Sequence, residues 1–139
     1  MSQPYDDQGN AVTETVLLIP VLLMVGLLVV FVGRITSTNQ DIDAAARDAA
    51  RAASVAANAT DAATAAEDTA TATLAGQRIR CASLTVHSDT TAFVAGGDVT
   101  VSIDCTVSLA DVAGLALPGS TTLHSRSTEV IDRYRGGLP

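Results

Sequence analysis

The feature that most constrains this chain is an uncharged apolar run from Thr15 to Val32. At 1.5 Å per residue, about 18 helical residues rise roughly 27 Å, which is close to the hydrocarbon thickness of a bilayer. The sequence after the run, Arg34-Ile35-Thr36-Ser37, is not a small-x-small cleavage site, so a cleaved secretory signal fits poorly. The run therefore predicts one transmembrane helix, in which Pro20 is tolerated as a local kink.

Composition and charge exclude several classes of function. The chain of 139 residues has a formal net charge of −7, and its few basic residues are scattered. Because neutralising phosphates needs clustered Lys and Arg, we expect no nucleic-acid partner. Aromatic residues make up only 3% of the chain, which argues against a ring-lined pocket for a small-molecule substrate.

The sequence contains no recognisable catalytic or metal-binding pattern. His87 and His124 fall in predicted strands without an acid at ligand spacing, so we expect both to be surface side chains. There is no phosphate-binding glycine loop, no nucleophile elbow and no His-Glu-x-x-His motif. We therefore expect no metal, no cofactor and no enzymatic activity.

An alanine-rich segment follows the apolar run. Small apolar residues recur there at steps of three and four along one side: Ile42, Ala46, Ala49, Ala53 and Ala56. Asp43, Arg47 and Arg51 repeat every four residues on another side, and Asp43 is well placed to pair with Arg47. The small apolar side needs a partner, which is either a second helix folding back or the same side of a neighbouring subunit.

The same segment predicts two helices. A continuous first helix is expected over residues 11–57, and a second over residues 61–75, where Gly76 ends it. Asn58 or Thr60 can cap the second helix, because both side chains accept hydrogen bonds from free amides at a helix N-terminus.

Apolar and polar residues alternate from Val99 to Leu109, which indicates a half-buried strand. Residues 79–87 are expected to pair with it through a loop containing Gly96-Gly97-Asp98, and residues 121–134 follow a turn at Leu117-Pro118-Gly119. The predicted fold class is α+β: a long N-terminal transmembrane and Ala-rich helix, a second shorter helix, and a small antiparallel sheet of about three strands at the C-terminal end.

The two cysteines, Cys81 and Cys105, lie in neighbouring predicted strands. A small domain that follows a membrane anchor is expected in an oxidising compartment, and its small core needs a covalent link for stability. We therefore predict a disulfide. Two free buried thiols are the alternative.

Glu14 places a carboxylate at the start of the apolar run. An ionised side chain there is costly unless it reaches water or meets a cation. One explanation is that Glu14 lies in the first helical turn, where it complements the helix dipole. Another follows from Gly9, because a cut after Gly9 makes Asn10 the first residue and Glu14 the fifth.

This arrangement resembles the type III signal of type IV pilins. In that family a membrane aspartyl peptidase removes a short polar leader after glycine, and the glutamate at the fifth position pairs with the new amine of a neighbouring subunit. The resemblance implies processing between Gly9 and Asn10, and a role for Glu14 in the register of assembled subunits. The chain departs from the pilin pattern at Asp6 and Asp7, where basic residues are common.

The wider pattern is similar to the TadE/TadG-like proteins of tight-adherence pilus systems. The segments that carry the resemblance are DQGNAVTETVLLIPVLLMVGLLVVFVGR, DAAARDAARAA, VTVSIDCTVSL and STEVIDRYR. It implies a minor pilin or pseudopilin that takes part in assembly of a tight-adherence (Flp-type) pilus or a related secretion filament. The implied partners are the membrane, other pilin-like subunits, the pilus assembly platform and a prepilin-type peptidase.

The expected organisation has four parts: a leader over residues 1–9, a transmembrane helix over 10–33, an Ala-rich helical stalk or hairpin over 34–76, and a β-rich region over 77–139. By the positive-inside rule, Arg34 alone favours a cytoplasmic C-terminal part. The paired cysteines and polar strands instead favour an extracytoplasmic location for a single-pass protein of the bacterial cytoplasmic membrane, with release into a surface pilus after processing. The alternative function is a single-pass membrane protein whose small outer domain binds a ligand or partner protein, with Glu14 as a helix-end acid.

Overall fold

The computed structural model describes residues 8–114 and 118–134; the expected leader up to Asp7 and Leu117 of the predicted turn lie outside them. The chain divides into two compact units, Met1–Arg34 (unit 1) and Ile35–Pro139 (unit 2). The helices and strands, in chain order, are α1 (Gln8–Ser54), α2 (Ala59–Gly76), β1 (Ser83–Asp89), β2 (Asp98–Ser108), α3 (Leu109–Ala113) and β3 (Ser120–Val130). This arrangement confirms the predicted fold class.

Unit 1 consists of the first part of α1. The helix continues through Pro20, and its large apolar side chains between Val16 and Val32 are mostly between 51% and 75% exposed. Within the described residues, this is the one helix that is long and apolar enough to cross a membrane. An apolar surface of this extent requires a lipid or protein environment.

In unit 2, the remainder of α1 is followed, after a short break, by α2. α2 begins after Asn58, whose side-chain Oδ1 accepts a hydrogen bond from the backbone N–H of Asp61 at 2.9 Å. Of the two predicted capping residues, the structure therefore uses Asn58. The helix breaks between Ser54 and Ala59, slightly earlier than predicted.

The C-terminal end of α2 carries an unusual residue. Arg78 has a φ of 60°, and its backbone N–H donates to the carbonyl of Ala75 at 3.1 Å, while that of Ile79 donates to Leu74 at 3.0 Å. These two bonds form a Schellman motif, in which glycine is the usual residue at the left-handed position. Gly76 is instead the last helical residue.

The three strands form an antiparallel sheet in the order β1-β2-β3. β2 is central and pairs along its whole length with β3. The prediction that the first strand begins at residue 79 is wrong, because residues up to 79 complete the end of α2 and β1 begins at Ser83. α3 was not predicted; the Ser108 hydroxyl caps it, and Gly114 ends it at a φ of 65°.

The loop between β1 and β2 folds back on itself. A Cβ atom at Gly97 would lie 2.0 Å from the carbonyl oxygen of Ala92, so only glycine fits there. The backbone of Ile131 bonds to this loop twice, donating to Gly97 at 2.9 Å and accepting from Gly96 at 3.1 Å. The segment after β3 thus closes one end of the sheet.

One buried cluster contains residues of α1, of α2 and of one face of the sheet. Its principal members are Ile42, Ala45, Ala46, Ala49, Ala50 and Ala53 of α1, Ala62, Ala66, Ala70 and Leu74 of α2, and Val99, Val101, Ile103, Cys105 and Val107 of β2. The small apolar side predicted for α1 is therefore covered within the same chain. The expected ion pair between Asp43 and Arg47 is not formed; the Asp43 carboxylate instead accepts a hydrogen bond from the Ser125 hydroxyl at 2.6 Å.

Candidate functional site

The residues predicted to be processed lie together near the start of α1. The backbone of Gly9, Asn10 and Glu14 is helical; their side chains lie outside the described residues. Because α1 begins at Gln8, no acidic residue occupies its first turn. The dipole of a helix acts mainly within that turn, and Glu14 lies beyond it.

The structure joins Cys81 and Cys105 in a disulfide, with the two Cα atoms 5.3 Å apart. Cys105 is fully buried in β2, and Cys81 lies in the segment between α2 and β1, packed against the core. The bond therefore ties this connecting segment to the central strand of the sheet. It belongs to unit 2, whereas Gly9, Asn10 and Glu14 belong to unit 1.

The face of the sheet turned away from the helices, here the outer face, is almost entirely polar. Two pairs of hydroxyl groups bridge β2 and β3: Thr100 with Thr128 at 2.8 Å, and Thr106 with Thr122 at 2.9 Å. Such cross-strand pairs contribute a few tenths of a kcal/mol to about 1 kcal/mol each. The outer face is consequently suited to water or to a polar partner surface.

The outer face also contains a pair that sequence reasoning missed. His124 Nδ1 lies 2.5 Å from Asp104 Oδ1, and both side chains are well exposed. His124 is a surface side chain, as expected, and the register of β2 and β3 places Asp104 directly opposite it. Cross-strand register was the signal that could have found this pair.

At the end of β1, Asp89 accepts hydrogen bonds from the Thr91 hydroxyl at 2.7 Å and from the Thr91 backbone N–H at 3.1 Å. These bonds favour the ionised carboxylate and hold the pKa of Asp89 below its ordinary value, with small contributions from nearby His87 and Arg126. Asp89 is exposed, so this interaction orders the start of the β1–β2 loop without forming an enclosed site.

Two open grooves lie at the two ends of α2. At its N-terminal end, a groove of about 510 Å³ is lined mainly by apolar residues of the α1–α2 turn and the β1–β2 loop, including Phe93 and Val94. At its C-terminal end, a groove of about 610 Å³ is lined by Arg78, Arg80 and Asp111 with Ala75 and Ile79. Within the described residues, no group of three or more His, Cys, Asp or Glu is arranged to hold a metal ion.

Comparison with known families identifies the N-terminal part of the chain. Residues 9–51 match the family model described as TadE-like protein. This segment is TadE-like. The match confirms the resemblance inferred from the sequence for residues 9–51 only, because the segments VTVSIDCTVSL and STEVIDRYR lie outside it. The TadE-like segment contains Gly9, Asn10, Glu14, the apolar run and most of the alanine side of α1. No curated protein and no solved structure gave a significant match.

The TadE-like match supports involvement of the chain in tight-adherence pilus systems. It ends at Arg51, so α2, the sheet, the disulfide and both grooves lie beyond the TadE-like segment. Roles for those parts are therefore inferred from their own residues and not from the family match.

Proposed function

We propose that the protein is a membrane-anchored pseudopilin or minor-pilin-like subunit that takes part in assembly of a tight-adherence (Flp-type) pilus or a related secretion filament. The observation that carries this proposal is the coincidence of three features in the TadE-like segment: Gly9 before Asn10, the carboxylate of Glu14, and an exposed apolar helix that follows at once.

In the proposed processing step, a prepilin-type peptidase hydrolyses the peptide bond between Gly9 and Asn10. Water adds to the Gly9 carbonyl carbon and the C–N bond breaks, so the leader leaves with a carboxylate and Asn10 gains a free amine. The amine is protonated at neutral pH, since an α-amino group has a pKa of about 8. Processing therefore creates a positive charge near the start of the apolar helix.

That charge gives Glu14 a partner in a neighbouring subunit. An ion pair at the edge of a lipid or protein interior is strongly favoured over either charge alone, because an unpaired charge there keeps its full desolvation cost. A subunit displaced along the helix axis would lose the pair. We therefore assign Glu14 the role of fixing the register between adjacent apolar helices.

Unit 2 is the part that this subunit presents outside the membrane. The disulfide supports an extracytoplasmic location, because such bonds persist in oxidising compartments. The grooves of unit 2 are open, and its outer face is polar. We propose that unit 2 contacts the assembly platform or other subunits and catalyses no reaction.

Mass spectrometry of the protein isolated from its own cells tests the processing step. We expect a mature N-terminus at Asn10. An intact N-terminus at Met1 or Ser2 in protein recovered from a pilus fraction would contradict processing.

A neutral replacement tests the register role. Glu14→Gln keeps the size of the side chain and removes its charge, so we expect the variant to insert into the membrane but to be lost from the sheared surface fraction. Glu67→Gln is the matched control, because Glu67 is exposed on α2. Normal recovery of Glu14→Gln in that fraction would favour the alternative, a single-pass protein whose outer domain binds a ligand or partner.

A further inference from the structure

The third strand of the sheet has one edge that pairs with no other strand. In the order β1-β2-β3, β3 pairs with β2 along Ser120–Val130 and has no strand on its other side within the described residues. β3 is 11 residues long, whereas the opposite edge strand, β1, has 7 residues and lies against α2. The free edge of β3 therefore presents the longer row of backbone N–H and C=O groups without a strand partner.

This edge lacks most of the features that prevent a strand from pairing with another chain. Such features include proline, lysine, a β-bulge and a charged side chain on the core side. β3 contains no proline and no lysine, and its register with β2 is uninterrupted. Its one charged residue on the core side, Glu129, is the residue before the last of the strand. An extended segment can therefore pair along almost the whole edge.

The sequence of β3 is compatible with pairing to itself. A two-fold axis through Ser125, the midpoint of the strand, pairs all 11 residues of β3 with those of a second copy in antiparallel register. In this register Thr122 lies opposite Thr128 of the second copy. Each of these hydroxyls already bonds within its own sheet, Thr122 to Thr106 at 2.9 Å and Thr128 to Thr100 at 2.8 Å. Because a hydroxyl both donates and accepts, the two pairs can join into one row of four.

The charges of β3 are also complementary in this register. Arg126 of the second copy lies opposite His124, whose ring bonds to the Asp104 carboxylate. The guanidinium thus enters a row that contains an acid, and within the described residues Arg126 has no ion pair of its own. Glu129 lies opposite Thr121 of the second copy. No acid therefore faces an acid, and no arginine faces an arginine.

We propose that two copies of this chain associate through β3 and form one continuous antiparallel sheet. Pairing of β3 with β1 of a second copy is less complete, because β1 has 7 residues against the 11 of β3. The inference requires neither the processing step nor pilus assembly, and it involves only residues of unit 2.

Exchange of charges across the two-fold axis tests the proposal. Thr122 and Thr128 are both exposed on the outer face. The double variant Thr122→Asp, Thr128→Asp places a carboxylate opposite a carboxylate at two symmetric positions, which weakens strand pairing. Analytical ultracentrifugation of the full-length protein, in density-matched detergent with micelles in large excess, measures the dissociation constant. We expect dimers of the wild type and a dissociation constant about ten-fold higher for the double variant.

A complementary chain separates this effect from damage to the fold. Mixing the double variant with Thr122→Lys, Thr128→Lys turns both like-charged pairs into opposite pairs, so association should return. Thr60→Asp, Thr71→Asp is the matched control, because it makes the same change of net charge at exposed positions of α2 and should leave the dimer intact. A monomeric wild type, an unaffected double variant, no recovery in the mixture, or an equal loss in the control would each overturn the proposal.

Cross-linking tests the register directly. The two native cysteines are joined in a disulfide, so a short bismaleimide reacts only with newly introduced thiols. We expect it to link Thr122→Cys chains to Thr128→Cys chains when the two are mixed. Neither variant should link to itself, because two copies of residue 122 would lie six residues apart along the strands, or about 20 Å. Self-linking that equals the mixed reaction would contradict the two-fold axis at Ser125.

Discussion

Reducing the disulfide should weaken unit 2 by an amount that follows from its position in the chain. Cys81 and Cys105 are separated by 24 residues, and closing a loop of that length lowers the entropy of the unfolded chain by an amount worth about 3.4 kcal/mol. Unit 2 has a core built largely of alanine, which buries little apolar area per residue. We therefore expect the bond to supply a large share of a total stability that is typically 5–15 kcal/mol.

Pulse proteolysis of the full-length protein in detergent, across a series of urea concentrations, measures this change without an optical probe. For an m-value of about 1.5 kcal/mol per molar urea, the loss lowers the unfolding midpoint by about 2 M in the presence of reductant. The double variant Cys81→Ala, Cys105→Ala should unfold at low urea whether or not reductant is present. If reductant leaves the wild-type midpoint unchanged, the loop-closure argument is wrong for this protein.

Three further changes test the helices and the β1–β2 loop. Ala66→Leu should destabilise unit 2 by about 2 kcal/mol, because Ala66 is completely buried in the core cluster and a larger side chain would overpack it. Ala63→Leu, on the exposed side of α2, should be nearly neutral in the same urea assay. Asn58→Ala should cost about 1 kcal/mol through loss of the helix cap, whereas Asn58→Asp should preserve most of it, as thermal unfolding would show. Because the folded pKa of Asp89 lies below its ordinary value of 3.8, its contribution to stability is complete above that pH and is lost as the pH falls through the folded pKa. Thr91→Ala should bring the pKa of Asp89 back toward its ordinary value in an NMR titration, and an unchanged titration would disprove the assigned cause.

The sequence predicted those parts of the fold that have a strong local period. The alternation around β2 and the steps of three and four in α1 each place one set of apolar side chains on a single face. The structure buries those side chains in the core. The Asn58 cap was also predictable, because a short polar side chain before an alanine-rich helix has a direct backbone role. Local chemistry was sufficient in each of these cases.

Other parts depended on neighbours that a single sequence does not reveal. The strand β1 begins later than expected, at Ser83, because Arg78 and Ile79 form the Schellman motif that follows α2 and are not available to the strand. Asp43 was expected to pair along its own helix but bonds to Ser125, which is distant in sequence and close in the fold. Such contacts are set by tertiary packing, which overrides the weak local preference for an ion pair of a few tenths of a kcal/mol.

The alanine layer between the helices and the sheet has a consequence for how this protein can change over time. Alanine has no side-chain torsion, so the buried positions of α1 and α2 cannot adjust by rotamer changes when a neighbour is replaced. Larger residues would have to separate whole helices, and accepted variation at these positions should be confined to other very small side chains. The outer face of the sheet is free of that restraint, so sequence drift in this protein should accumulate on the strands' solvent side and leave the helical seam almost untouched.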